Sequence, residues 1–406
     1  MSLRNRLLSP TRRLIGAAFV MDFGAAMTGL GLQNLGVYVL DAPNSVLGLL
    51  PAMSSLAYML SCMVSGLVSD RFGRRRCAVA GCLGMALTWA LTPNVGPWRN
   101  VLWVVPFSGV ALSLFWPSIL AWMAEYTTGG RKELTRNIGL FNIMWCSGFM
   151  VGPVVTGYLW PVSHALAFYV PAAVVLGLVA VIVTLPRAET ASSDVGQAAE
   201  DGSENTGLFL AMARIGGFAI WFATSAVSAL FPKIGEMLSL PTEVVGWLLF
   251  VFRAGQVAVF VYARYCQRWQ YRLWPLLLVQ TGAMAASLAV AWTSDVRVFG
   301  AAFVMLGVNA GLAYVSALFY ALHGRQEGKG RSSGFHEAVV GSGIFLGPLV
   351  SGLVAEHVNV RAPFVVCAGV LLLATAVQVV LASRGRRRRP AMPAPAGAQS
   401  RGLPAG

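Results

Sequence analysis

Charge is scarce in this sequence. Only 11% of its 406 residues are Asp, Glu, Lys or Arg, against roughly 25% in soluble globular proteins. A chain this long and this poor in charge has no means of covering a water-facing surface. Cysteine occurs 6 times (Cys62, Cys77, Cys82, Cys146, Cys266, Cys367), through or beside apolar stretches and never at a metal-ligand spacing. These are read as small apolar residues rather than disulfide partners or ligands. The sequence also offers no nucleotide-binding loop, metal cluster or catalytic triad, so no enzyme activity, cofactor or bound metal is expected. Alternation of apolar and polar residues is missing too, which argues against a membrane β-barrel.

What is present is hydrophobicity: 56% of residues are apolar, in runs of the length, about twenty residues, that a helix needs to cross hydrocarbon. Twelve spans are expected, at 14–39, 46–69, 77–95, 100–124, 138–160, 164–186, 208–232, 243–264, 273–293, 297–321, 334–355 and 361–383. The fold class is therefore an all-α membrane protein. Arg4, Arg6, Arg12 and Arg13 lead into a first apolar stretch too long for a cleavable signal peptide.

With the N-terminus placed in the cytoplasm, 24 of the 30 Lys and Arg residues fall on that side. Only Arg99, Lys233, Arg297 and Arg361 fall outside, while Arg214 and Arg253 lie within spans. Positive-inside bias then puts both termini in the cytoplasm of a plasma (inner) membrane. The net charge of +14 is read as an orientation signal facing anionic lipid, not as a nucleic-acid patch.

Residues 187–206 (PRAETASSDVGQAAEDGSEN) are the only long polar interruption. They divide the chain into a six-helix bundle at 1–186, a cytoplasmic linker, and a second bundle at 207–384. A basic, Pro/Ala/Gly-rich tail covering 385–406 is expected to be disordered. The halves repeat each other. Residues 136–157 (RNIGLFNIMWCSGFMVGPVVTG) and 331–352 (RSSGFHEAVVGSGIFLGPLVSG) share eight of twenty-two positions at a constant offset of 195. Among the matches are Gly139/Gly334, Gly148/Gly343, Gly152/Gly347, Pro153/Pro348 and Gly157/Gly352. Small residues let helices in lipid approach closely, so these positions read as a helix-packing motif.

Two segments carry a family resemblance. Gly66–Arg76 (GLVSDRFGRRR) resembles the signature loop of the major facilitator superfamily through Gly66, Asp70, Arg71, Gly73, Arg74 and Arg75. The segment from Gly139 to Gly157 resembles the superfamily's antiporter motif, with Thr156 in place of one glycine. The resemblance implies two pseudo-symmetric six-helix bundles, a substrate site between them, and export. It also implies that the Asp70 carboxylate caps a helix of the opposite half and pairs with loop arginines, latching one face. Glu125 and Arg136 resemble the acid and base that extend this network. The matching loop of the second half, Tyr262–Arg272 (YARYCQRWQYR), lacks the Asp and Gly.

Charges inside hydrocarbon are functional hypotheses by default. Asp22 lies well inside the first span, on a face with Ala26, Gly29 and Gln33, and is the first proton-coupling candidate; Glu337, beside His336, is the second. Arg253 lies mid-span, on a face with Gly246 and Gln256. The superfamily resemblance points to spans 1, 4, 7 and 10 as the cavity wall, giving Gln33, Trp116, Trp221, Ser225, Asn309 and Tyr320 as substrate-cavity candidates beside Arg253. A small-molecule substrate, protons and membrane lipid are the expected partners of a monomer. Proton-coupled efflux by alternating access is the leading expectation. An uptake permease for a metabolite anion and a non-transporting membrane sensor of the same fold are the alternatives.

Overall fold

The computed structural model describes residues 9–127, 130–186, 205–323 and 329–387. Among these, twelve long helices account for nearly everything: α1 (Pro10–Asn34, continued by a π-turn over Leu35–Val39), α2 (Asn44–Phe72), α3 (Arg74–Leu91), α4 (Trp98–Glu125), α5 (Gly130–Leu159) and α6 (Leu166–Val183). Then follow α7 (Asn205–Met237), α8 (Thr242–Tyr265), α9 (Leu273–Trp292), α10 (Val296–His323), α11 (Lys329–His357) and α12 (Ala362–Arg387). Hydrocarbon offers a backbone no hydrogen-bond partner, so apolar runs of this length close their own bonds as helices.

Local chemistry sets the ends. Ser9 caps α1 by accepting from the Arg12 backbone N–H at 3.4 Å, with Pro10 in the first helical position. Pro43, Pro97 and Pro241 directly precede α2, α4 and α8. Gly73 joins α2 to α3 at φ +92°, in the left-handed region that favours glycine. Eleven of the helices are long and apolar enough to cross a membrane; the other, α3, opens with Arg74, Arg75 and Arg76. Large apolar side chains such as Trp103 (77% exposed) and Leu373 (66% exposed) point outward, as they do on a lipid-facing surface. The chain is an integral, multi-pass membrane protein. Residues 187–204 of the expected linker and 388–406 of the expected tail lie outside the described residues.

Packing repeats between the halves. Helix α1 packs on α5 and α6, α2 on α4, and α3 on α4 and α6. Six helices later the same relations recur: α7 with α11 and α12, α8 with α10, α9 with α10 and α12. The halves meet through α2 with α11 and α5 with α8, again a symmetric exchange.

The shared glycine motif explains both sets of contacts. A Cβ added at Gly152 would lie 2.8 Å from Ala26 Cβ of α1, and one at Gly148 would strike the α1 backbone at Phe19 and Phe23. In the second copy, a Cβ at Gly343 would lie 2.9 Å from Phe218 O and 3.1 Å from Phe222 N of α7. Gly347 abuts Phe222 in the same way. These glycines hold each helix inside its own half. The last glycine of each copy crosses to the other half. A Cβ at Gly157 would lie 2.7 Å from Glu243 Cα of α8, and one at Gly352 would lie 2.9 Å from Gly48 Cα of α2. In return, Gly246 abuts Pro153 and Gly48 abuts Pro348. Gly139, by contrast, has nothing within 4 Å of its would-be Cβ, and Gly334 lies in a helix whose side-chain surroundings there are outside the described residues.

Gly352→Leu should therefore force α2 and α11 apart and lower stability by about 1–3 kcal/mol, as overpacking does. Gly369→Leu, where a side chain meets open space, should change it by less than about 0.5 kcal/mol. Thermal unfolding of both variants in detergent checks this; equal losses would remove the close approach from the account.

Candidate functional site between the halves

Two opposite charges face each other across the junction. Asp22 on α1 is 4% exposed and accepts no hydrogen bond from the described residues. Arg253 on α8 is half-buried. Each lies within the other's electrostatic field, and Cys146 on α5 lies within both. No direct ion pair joins them among the described residues. Arg253 donates from Nη1 to Gln256 Oε1 at 2.7 Å. Its Cζ sits 4.8 Å from the ring centroid of Phe149 on α5, 4.6 Å from Phe252 and 5.9 Å from Trp221 on α7. Aromatic faces hold a cation without neutralising it, so the guanidinium keeps its capacity to bind an anion.

The aromatic wall continues across the junction. Trp145 on α5 lies 6.1 Å from Phe260 on α8 and 5.9 Å from Tyr314 on α10. Around Arg253, three buried donors have no partner among the described residues: Trp221 Nε1, Gln256 Nε2 and Asn309 Nδ2. Trp145, Phe149, Phe260 and Tyr314 were not legible as site residues. The signal lay in the motif itself, since Trp145 and Phe149 flank the Gly148 that brings α5 against α1.

Several expected cavity residues have other work. Gln33 faces two carbonyls: with its amide turned so that the nitrogen meets them, it donates to Leu47 O at 3.2 Å and Ala229 O at 2.8 Å, tying α1 to α2 and α7. Ser225 donates to Trp221 O at 2.7 Å and to Gly343 O at 3.3 Å, at the α7–α11 crossing. Tyr320 is fully buried and its hydroxyl accepts from Tyr271 N at 2.9 Å, beneath the α8–α9 loop. Trp116 packs on Phe115 and Phe141 inside the first half, at ring separations of 5.2 and 5.7 Å. Glu337 lies in α11, but its side chain is outside the described residues.

Among the described residues, the signature loop forms a network within its own half. Arg74 pairs with Asp70, donates from Nε to Glu125 Oε1 at 3.1 Å and from Nη1 to Ser69 Oγ at 3.0 Å. Ser118 on α4 completes it, donating to Ser69 Oγ at 3.0 Å. Among the described residues, the Asp70 side chain is 60% exposed and pairs with Arg74 of its own half; residues 324–328, ahead of α11, and the side chains of that helix's first turns lie outside the described residues. Arg71 is exposed and lies beside its neighbour Phe72, 5.9 Å from that ring, while Gly66 has open space where a Cβ would sit. Arg136 pairs with Glu133 of its own helix at 3.8 Å rather than joining Glu125.

The hydrogen bonds that join the halves among the described residues lie at the opposite end. Ser45 N donates to Glu356 Oε2 at 3.3 Å, Thr242 Oγ1 to Gly157 O at 2.9 Å, and Trp247 Nε1 to Tyr158 OH at 3.2 Å. Among the described residues, the halves are thus tied by hydrogen bonds at the end away from the Asp70 network.

Comparison with known proteins agrees with this architecture. The sequence profile of the Major Facilitator Superfamily matches residues 14–324 and 214–405. The quinolone resistance protein NorA of Staphylococcus aureus (strain MRSA252) is 23% identical over 384 residues, covering 89% of this chain and 94% of NorA. The MFS-type transporter YqjV of Bacillus subtilis (strain 168) is 29% identical over 169 residues, 40% of each chain. Among solved structures, a bacterial homolog of the human lysosomal transporter Spinster, in an inward-facing and unoccupied conformation, superposes with a TM-score of 0.76 at 12% identity, covering 95% of this chain and 98% of that one. The nucleoside transporter NupG superposes with a TM-score of 0.71 at 15% identity, over 92% of this chain and 99% of that one. At these identities the structural likeness speaks to fold, and the profile match to family: the chain belongs to the Major Facilitator Superfamily of membrane transporters.

Proposed function

We propose that the protein is a proton-coupled exporter of small organic molecules, with Asp22 as the proton-carrying group. The observation that carries this reading is the pair of opposite charges facing each other between the halves without forming an ion pair. A carboxyl group in a low-dielectric site resists ionisation, and Asp22 has no donor or cation in direct contact among the described residues. It is suited to take a proton when the site faces one side and release it on the other. A substrate that binds the two states differently then moves with that exchange. Efflux is supported by similarity to a quinolone resistance protein over most of both chains.

The arginine-rich end is assigned to the cytoplasm by the positive-inside rule. The hydrogen bonds that tie the halves among the described residues would then lie toward the outside, and the Asp70 network toward the cytoplasm. Asp70 would act when the cytoplasmic ends come together, capping a helix of the other half.

Proteoliposomes carrying the protein, a fluorescent quinolone and an internal pH dye test the coupling. Wild-type protein should concentrate the quinolone against its gradient when a pH difference is imposed, with proton movement in the opposite direction. Asp22→Asn, a mimic of the protonated form, should lose accumulation and proton flux but keep exchange down a gradient. Accumulation that survives in this variant would assign coupling elsewhere, with Glu337 next. Asp70→Asn should leave insertion intact, slow transport, and lengthen spin-label distances between the halves at the arginine-rich end. Unchanged distances and kinetics would take Asp70 out of the cycle.

A further inference from the structure

The chemistry around Arg253 is one-sided. Its guanidinium carries five N–H donors, and among the described residues a single hydrogen bond, to Gln256, uses one of them. Three more donors, on Trp221, Gln256 and Asn309, are at least nine-tenths buried and unpartnered among the described residues. They come from α7, α8 and α10. Trp221 is within cation–π range of Arg253. Helix α10 reaches this level because a Cβ on Gly307, two residues before Asn309, would lie 3.1 Å from Gln256 N. Buried donors without acceptors leave their desolvation uncompensated, so this half of the site lacks an acceptor-rich anionic group. Asp22, on the first half, lacks the reverse: it is a carboxylate with neither cation nor donor in contact among the described residues. Aromatic faces, Phe149 and Trp221, stand against the guanidinium side of the site.

We propose that the substrate is a zwitterionic aromatic molecule, its anionic group seated on Arg253, Gln256 and Trp221 and its ammonium group facing Asp22. This deepens the reading of the inter-half site as the substrate site and rests on it. An anion alone would feel Asp22 as a like charge. A cation alone would leave the Arg253 donors dry and meet the guanidinium as a like charge. A zwitterion satisfies both, and its ammonium competes with the proton for Asp22, so substrate and proton occupy the site in turn. That mutual exclusion is what antiport requires.

Matched probes separate the three charge types. Isothermal titration calorimetry on the purified full chain in lipid nanodiscs would compare 4-(aminomethyl)benzoate, a zwitterion, with benzylamine and 4-methylbenzoate. The zwitterion should bind at least about tenfold more tightly than either single-charge probe, the ratio that one well-placed charge contact gives. Arg253→Ala should reduce it to the benzylamine level, and Arg253→Lys should restore only part, because lysine lacks the planar fork. Asp22→Asn should reduce it to the 4-methylbenzoate level. Lowering pH through the titration of Asp22 should weaken zwitterion binding until it reaches the Asp22→Asn level, and should not weaken it further in that variant. Each variant's unfolding temperature, checked beforehand, separates lost binding from lost fold.

Equal binding of all three probes, no binding of the zwitterion, or zwitterion binding indifferent to Arg253→Ala would overturn the substrate class. If that happens while Asp22→Asn still uncouples the quinolone from protons, the coupling role stands and only the substrate class falls. If Asp22→Asn leaves coupling intact, both fall together.

Discussion

Helices in a membrane are not pushed together by water, because lipid tails are as apolar as leucine. What holds them is close backbone approach, and close approach needs glycine where two helices cross. Gly148 and Gly152 bring α5 onto α1; Gly343 and Gly347 bring α11 onto α7. The last glycine of each run reaches out of its own half instead, Gly157 to α8 and Gly352 to α2. One sequence pattern therefore builds each bundle and also joins the bundles. The polar bonds at that junction, such as Thr242 to Gly157, are few and form between groups that the glycines have already brought together.

The same constraint places the site. Since α5 lies tight against α1, its side chains between the motif glycines are directed toward the second half. Phe149 follows Gly148 and meets Arg253; Trp145 precedes it by a turn and meets Phe260 and Tyr314. Asp22 sits on α1 between Phe19 and Phe23, whose backbones the glycines of α5 touch. Packing and chemistry are thus carried on the same two turns of helix, with one face against α1 and the adjoining face against aromatic and cationic side chains of the second half.

Much of this was legible before any coordinates. Hydropathy placed the spans because apolar runs in lipid have one backbone solution, and the offset of 195 identified the paired glycines. Asp22 and Arg253 stood out because charge within an apolar run is rare. Helical spacing, however, says which residues share a face and not what that face meets. Gln33 shares a stripe with Asp22 yet lies among backbone carbonyls. Ser225 shares one with Trp221 yet is bonded into the α7–α11 crossing. The Asp70 latch was read from a pattern that describes a cycle, whereas a single structure holds one point of it. Arg136 failed for a simpler reason: Glu133, one turn away on the same helix, is nearer than Glu125.

The two halves also differ in how their charged-end loops are fastened. In the first, Asp70, Arg74 and Glu125 form an ionic cluster over Ser69 and Ser118. In the second, Trp269 is 5% exposed and stacks edge-on with Phe319, while Tyr271 at φ +52° donates its N–H to the buried Tyr320 hydroxyl. Salt screens the first kind of fastening and leaves the second alone. Among the described residues, ionic strength on that side therefore bears on the fastening of the first loop and not on that of the second. An internally repeated protein thus fastens the same loop by charge in one copy and by aromatic packing in the other.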